Sequence, residues 1–176
     1  APILTGGIEY STGNPAHISI LDGHRIHVQG LVFTGPLEPS YPEPYGDPFK
    51  GINAISTDLS ELTIRDCVFD NIGFSVSAFS TDTASPVQGV LLLDNEAALV
   101  GKYLFYGHVY NMTILGNSCE GATDGHCLRL YDGPYNVSYN ELWTDHEWLA
   151  AAEDLGVATS YPLDLVVGGP FYVAHN

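Results

Sequence analysis

Short apolar runs recur along the chain, and each ends in a polar, turn-forming step. The runs are IHVQGLVFTG, LTIRDCVFDN, VLLLDNEA, MTILGNSCEG, NVSYNEL and FYVAHN. Ahead of each lies a second apolar segment: HISIL (17–21), GINAI (51–55), FSVSAF (74–79), KYLFY (102–106), HCLRL (126–130) and LDLVV (163–167). Alternation in IHV and CLRL turns one set of side chains inward and the other outward, the period of a β-strand. An asparagine returns after the later runs, at Asn95, Asn117, Asn140 and Asn176, spaced 22, 23 and 36 residues apart. Leu31 and Cys67 occupy the same place in the first two runs. A period in the low twenties built on β-branched residues predicts a coiled β-solenoid.

The asparagine has a physical reason. A tight bend needs a residue that tolerates left-handed backbone and bonds to nearby main chain. Stacked at one height on each turn, the amides also bond to one another as a ladder. The chain therefore reads as all-β, a single domain over 1–176 of about six coils. Two long spacings have visible causes. GPLEPSYPEPYGDPFKG, between Leu31 and Cys67, reads as a side loop rich in Pro, Gly and Tyr. In TDHEWLAAAEDLG, Thr144 and Glu147 form a capping box and Gly156 closes the segment, predicting a short inserted α-helix near 145–155. FYVAHN stops at its ladder position with no cap after it. The expectation is a segment of a longer solenoid, or an end covered by another chain.

Charge changes the picture. Asp plus Glu number 21 against 5 Lys plus Arg, a formal net charge of −16. Nucleic acid and anionic membranes need clustered cations, so neither is expected as a partner. No stretch approaches the roughly 20 apolar residues of a membrane span. The surface suits Ca²⁺-rich or saline surroundings, or simply an acidic secreted protein. No secretory signal is visible, and the chain begins at Ala1 without Met, which fits removal of a leader. Three cysteines are too few for a disulfide scaffold. Cys119 and Cys127 flank the loop EGATDGH, and either a disulfide between them or two buried thiols fits. Asn111 (NMT) and Asn136 (NVS) are glycosylation sequons.

The pattern in IHVQGLVF, LTIRDCVFDN, MTILGNSCEG, GHCLRLYDGPYNVSYN and YVAHN resembles the right-handed parallel β-helix superfamily of pectate-lyase-like proteins, over residues 14–176. That resemblance implies polysaccharide lyases, glycoside hydrolases, uronate epimerases, tailspikes and adhesins, and the fold does not choose among them. The Arg-x-Pro-x-x-Arg element of pectate lyases and the Asp-Pro-His-Glu element of alginate epimerases are missing. So are the closely spaced aspartates of inverting hydrolases of this fold.

A uronate lyase needs a base and a cation to neutralise the substrate acid. Arg129 lies between Leu128 and Leu130 and points outward when they point in. Lys102 opens the equivalent segment one turn earlier, and His126 and Tyr131 flank Arg129. These four form the candidate catalytic cluster. The competing reading pairs Arg129 with Asp132 and makes His126 a turn residue. Asp66, Asp70, Asp94 and Glu96 lie at related heights and are candidate Ca²⁺ ligands, with a solvated acidic face as the alternative. Eleven tyrosines and two tryptophans are many, and Tyr41, Tyr45, Tyr103, Tyr106, Tyr110, Tyr131 and Tyr135 cluster near turns and loops, offering flat rings for sugar stacking or for packing loops on the rod. The functional expectation is an extracellular or cell-surface carbohydrate-active β-helix. It binds a polysaccharide, with β-elimination as its catalytic form. The alternative is a non-catalytic adhesive or filament protein assembling through its coil ends.

Overall fold

The computed structural model describes residues 3–5, 16–20, 23–35, 50–55, 59–79, 87–98, 100–101, 103–120, 126–143, 161–166 and 170–176. Seventeen strands are described in three ranks. The first rank holds β1 (Ile3–Thr5), β4 (Val32–Thr34), β7 (Val68–Asp70), β10 (Glu96–Ala98), β12 (Ser118–Glu120) and β15 (Glu141–Trp143). The second holds β2 (Ala16–Ile20), β5 (Lys50–Ile55), β8 (Phe74–Phe79), the first half of β11 (Tyr103–Leu115), β13 (His126–Asp132) and β16 (Tyr161–Val166). The third holds β3 (Gly23–Gln29), β6 (Leu59–Arg65), β9 (Val87–Leu93), the second half of β11, β14 (Tyr135–Ser138) and β17 (Phe171–Ala174). Each strand pairs, in parallel, with the equivalent strand of the neighbouring repeats. The fold is thus all-β, with every described pairing parallel and no helix among the described residues. The helix expected near 145–155 lies outside them, as does Lys102.

Alternation decides what is buried. In the second rank Ile52, Val76, Phe105 and Leu128 share one inward row, all without exposed surface. In the third rank Ile64, Leu92, Ile114 and Val137 do the same. Under the first rank, Phe33 and Phe69 stack with centroids 4.8 Å apart and ring planes 6° from parallel. These rows merge into one continuous hydrophobic core. The beginning of β11 is so close to its neighbour that only glycine fits at one point. A Cβ on Gly107 would run into the Ala78 carbonyl.

Two corners are built from left-handed backbone. Gly30, Asp66, Asp94, Gly116, Tyr139 and His175, each just ahead of a ladder position, have φ between 52° and 69°. A second row, Arg25, Glu61, Gly89 and Asn111, has φ from 56° to 68° and bends the chain at the start of the third rank. These residues are skipped in the strand register, where Ile26, Leu62, Val90 and Met112 pair in sequence. Glycine and asparagine reach this conformation at little cost; the others are held there by the pairing on either side.

The ladder follows from the first corner. Asn117 Oδ1 accepts from the backbone N–H of Asn95 at 3.0 Å and from its Nδ2 at 2.8 Å. Asn140 Oδ1 takes the same two bonds from Asn117, both at 2.9 Å, and Asn176 Oδ1 takes them from Asn140 at 2.8 and 3.0 Å. Each Nδ2 also donates to a main-chain carbonyl one repeat back: Ile64, Leu92, Ile114 and Val137 respectively. Cys67 ends the series. Its N–H donates to Asn95 Oδ1, and its thiol lies 3.8 Å from the carbonyl of Val28, the place an amide nitrogen would fill. Asn95, Asn117 and Asn140 are fully buried, and the bonds remove the cost of burying their amides.

Candidate functional site

At the second rank a cluster of aromatic rings surrounds one guanidinium, with Phe74 and Tyr103 buried and Tyr106, His108 and Tyr131 partly exposed. Leu128 and Leu130 are buried, so Arg129 between them emerges on the outer side, half-buried. It pairs in register with Tyr106, and Tyr131 with His108. Arg129 Nη1 lies 3.4 Å from the Tyr103 hydroxyl, and its guanidinium carbon sits 5.5 Å from the Tyr131 ring centre. Tyr103 and Tyr106 stack at 4.8 Å, His108 and Tyr131 at 4.5 Å, and Tyr106 meets the edge of Tyr131 at 5.9 Å. Phe74 closes the inner end against Tyr103 at 5.0 Å, with Lys50 Nζ 5.6 Å from its centre. A cation held against ring faces is favourable, more so as water is excluded.

Burial, and then the neighbouring Tyr131, pushes the Tyr106 phenol up to about 12. At neutral pH this hydroxyl is therefore a hydrogen-bond donor and not a proton-abstracting base. Of the four residues expected to form a catalytic cluster, Arg129 and Tyr131 are brought together. His126 opens β13, three residues from Arg129, with its backbone paired to Tyr161. Lys102 lies outside the described residues. Tyr41 and Tyr45 lie outside them too. Tyr103 and Tyr106, already candidates for sugar stacking, join Arg129 and Tyr131, and His108 is the member the sequence reading missed. The signal that places them there is the 23-residue step from Asn117 to Asn140, which also relates Tyr106 to Arg129 and His108 to Tyr131.

The candidate calcium ligands separate into two places. Asp66 and Asp94 stand at the same corner on successive repeats, and Asp66 Oδ2 accepts from Gln29 at 2.9 Å and from Arg65 at 3.0 Å. Glu96 begins β10 opposite Val68, whereas Asp70 ends β7 opposite Ala98. Among the described residues no three His, Cys, Asp or Glu side chains are grouped to hold a metal. Of the two sequons, Asn111 is exposed at a left-handed corner, and Asn136 is exposed with its Oδ1 accepting from Ser138 Oγ at 2.8 Å.

Cys67, Cys119 and Cys127 are all buried free thiols, so of the two readings of Cys119 and Cys127 this structure has the buried thiols. Cys127 Sγ instead lies 3.5 Å from the Cys119 carbonyl. Burial raises the Cys67 and Cys119 thiols above the ordinary range, and for Cys119 the adjacent Cys127 adds to it. Reaction needs an exposed thiolate. Iodoacetamide at pH 8 is expected to label the native protein about 100-fold more slowly than the urea-unfolded chain. Fast native labelling, read by mass spectrometry, would contradict the buried placement.

Compared with models of known families, with curated proteins and with solved structures, the chain matches none of them. No helix among the described residues is long and apolar enough to cross a membrane.

Proposed function

We propose that this chain is a right-handed parallel β-helix of about six coils that binds a polysaccharide along the outer side of its second rank, outside the cell or at its surface. The observation that carries the reading is the ring cluster of Tyr103, Tyr106, His108 and Tyr131 around Arg129. Parallel strands at about 4.8 Å spacing set outward side chains in a straight row along the rod, a track suited to an extended polymer. Ring faces pack on sugar rings without requiring charge, and the guanidinium donates to hydroxyl or carboxylate oxygens. The strongly acidic composition and the two exposed sequon asparagines support the extracellular placement.

Elimination would need a base beside the cation; burial raises the Tyr106 phenol in register with Arg129 and so disfavours that group in the role. The test is retention on immobilised polysaccharides with absorbance near 235 nm followed in parallel. Arg129→Ala together with Tyr131→Ala is expected to weaken retention about 10-fold or more, with no unsaturated product from either protein. Unchanged retention in the double variant would refute the site. Unsaturated product from the wild type would replace binding by lyase activity.

A second reading, assembly through the ends of the coil, is supported by β17. Phe171 and Val173 pair in register with buried Tyr135 and Val137, yet are 57% and 41% exposed. A further parallel strand laid on β17, from this chain or another, would bury them.

A further inference from the structure

Charge is unevenly spread over this strongly acidic chain, which carries 21 Asp plus Glu against 5 Lys plus Arg. In the third rank, β3 and β6 hold Arg25, Glu61 and Arg65. The four strands beside them are different. Val87–Leu93, residues 109–115 of β11, Tyr135–Ser138 and Phe171–Ala174 contain no Asp, Glu, Lys, Arg or His. They pair in parallel one after another, so their outward side chains form a single uncharged face.

Where this face is exposed it is apolar. Alternation sends Leu92 and Ile114 inward and leaves Leu91 and Leu115 39% and 36% exposed. Leu93 pairs with Leu115 and is half-buried beside it. Leu91, Thr113, Asn136 and Tyr172 form one row of register partners across the four strands. The nearest charges stand at the rim, with Arg65 in register with Leu93 and Asp94 at the corner that follows. An apolar outer face rimmed by charge marks a contact surface more often than a scattered exposed leucine does.

We propose that two copies of this chain pair through the uncharged face. Charge selects the occupant. Molecules of net −16 repel wherever their carboxylates face one another, and the repulsion is least where neither surface carries any. A basic partner would be drawn to the acidic surfaces instead. A two-fold axis normal to the face lays the leucines of one copy on those of the other, and the contact closes without building a filament. The two sheets then stand about 10 Å apart. Size sets the strength. Four strands about 4.8 Å apart and about 20 Å long offer roughly 400 Å² on each copy. The pair buries about 800 Å², below the roughly 1,200 Å² at which stable interfaces begin, so the dimer is weak and reversible. The rings around Arg129 stand on another rank and take no part, and the pairing does not rest on the carbohydrate reading.

Sedimentation equilibrium over about 5–500 µM protein tests the proposal, run at about 10 mM and about 150 mM NaCl, where charges are screened over about 30 and about 8 Å. A monomer–dimer equilibrium is expected, about 10-fold tighter or more at the higher salt, because screening removes the repulsion and no ion pair is lost. A contact made by ion pairs would shift the other way. Leu91→Gln combined with Leu115→Gln is expected to weaken pairing about 10-fold or more. Both side chains point outward, so the urea midpoint should stay where it is. A monomer at every concentration and salt, pairing that tightens at low salt, or undiminished pairing of the folded leucine variant would overturn the proposal. Pairing lost in Phe171→Asp but kept in the leucine variant would move the contact to the end of the coil, overturning this face and sparing that reading. A glycan found on Asn136 of the secreted protein would cover the face, and would also overturn it.

Discussion

Replacing Asn117 by alanine is expected to destabilise the protein by about 3–6 kcal/mol, because each buried polar group left without a partner costs about 1–3 kcal/mol. The side chain makes five bonds. Its oxygen accepts twice from Asn95, and its nitrogen donates to Asn140 Oδ1 and to the carbonyls of Leu92 and Leu115. Alanine removes all of them inside a site that is 1% exposed, where water cannot substitute. The loss is a large share of the 5–15 kcal/mol that holds a domain together. In a chain of this length the melting temperature should fall by about 10 °C. The control is Asn136→Ala, an exposed asparagine of the same repeat region, expected to change stability by no more than about 0.5 kcal/mol. Urea unfolding of both variants reads the difference. Equal stabilities would mean that the ladder bonds contribute nothing net.

Phe105→Ala has the second large effect, about 3–5 kcal/mol of lost stability. Phe105 is fully buried between Val76 of the preceding repeat and Leu128 of the next. Three parallel strands converge there, and a backbone pinned on both sides cannot collapse into the void. Tyr110→Ala on the same strand removes a larger phenolic side chain that is 45% exposed, and is expected to cost far less. If the two variants unfold at the same urea concentration, the inward and outward rows have been assigned to the wrong faces.

Much of the strand arrangement was legible because the inward rows carry composition. FSVSAF corresponds to β8, and HISIL, GINAI, KYLFY, HCLRL and LDLVV fall on β2, β5, β11, β13 and β16. Asparagine marks its corner, though not by taking the left-handed conformation, which falls on the residue ahead of it; its side chain spans that bend and reaches the neighbouring repeat. The second corner left no such mark. Arg25, Glu61, Gly89 and Asn111 share a backbone conformation but no common side-chain chemistry: Arg25 bonds Glu61 of the next repeat, and Gly89 has no side chain to continue the row. Aligning the repeats on Ile26, Leu62, Val90 and Met112 reveals that row, and with it the Arg25–Glu61 pair.

The aromatic cluster was half legible. Arg129 and Tyr131 stood out within one strand, and Tyr103 and Tyr106 as rings near turns. That these rings and His108 meet around Arg129 required the register between strands, which a single segment does not contain. The cysteines were ambiguous for a different reason: spacing along the chain brings two thiols near one another without stating whether they are bonded.

The most direct test of the account reads the side-chain amides of Asn95, Asn117 and Asn140 by NMR. If the repeats stack in register, these amide protons persist in D₂O. Those of Asn95 and Asn117 also show cross-peaks to the backbone N–H of their own residues, whose shared acceptor is the next asparagine's oxygen. Amide protons that vanish at the rate of exposed asparagines, with no such cross-peaks, would contradict the stacked arrangement on which both proposed sites depend.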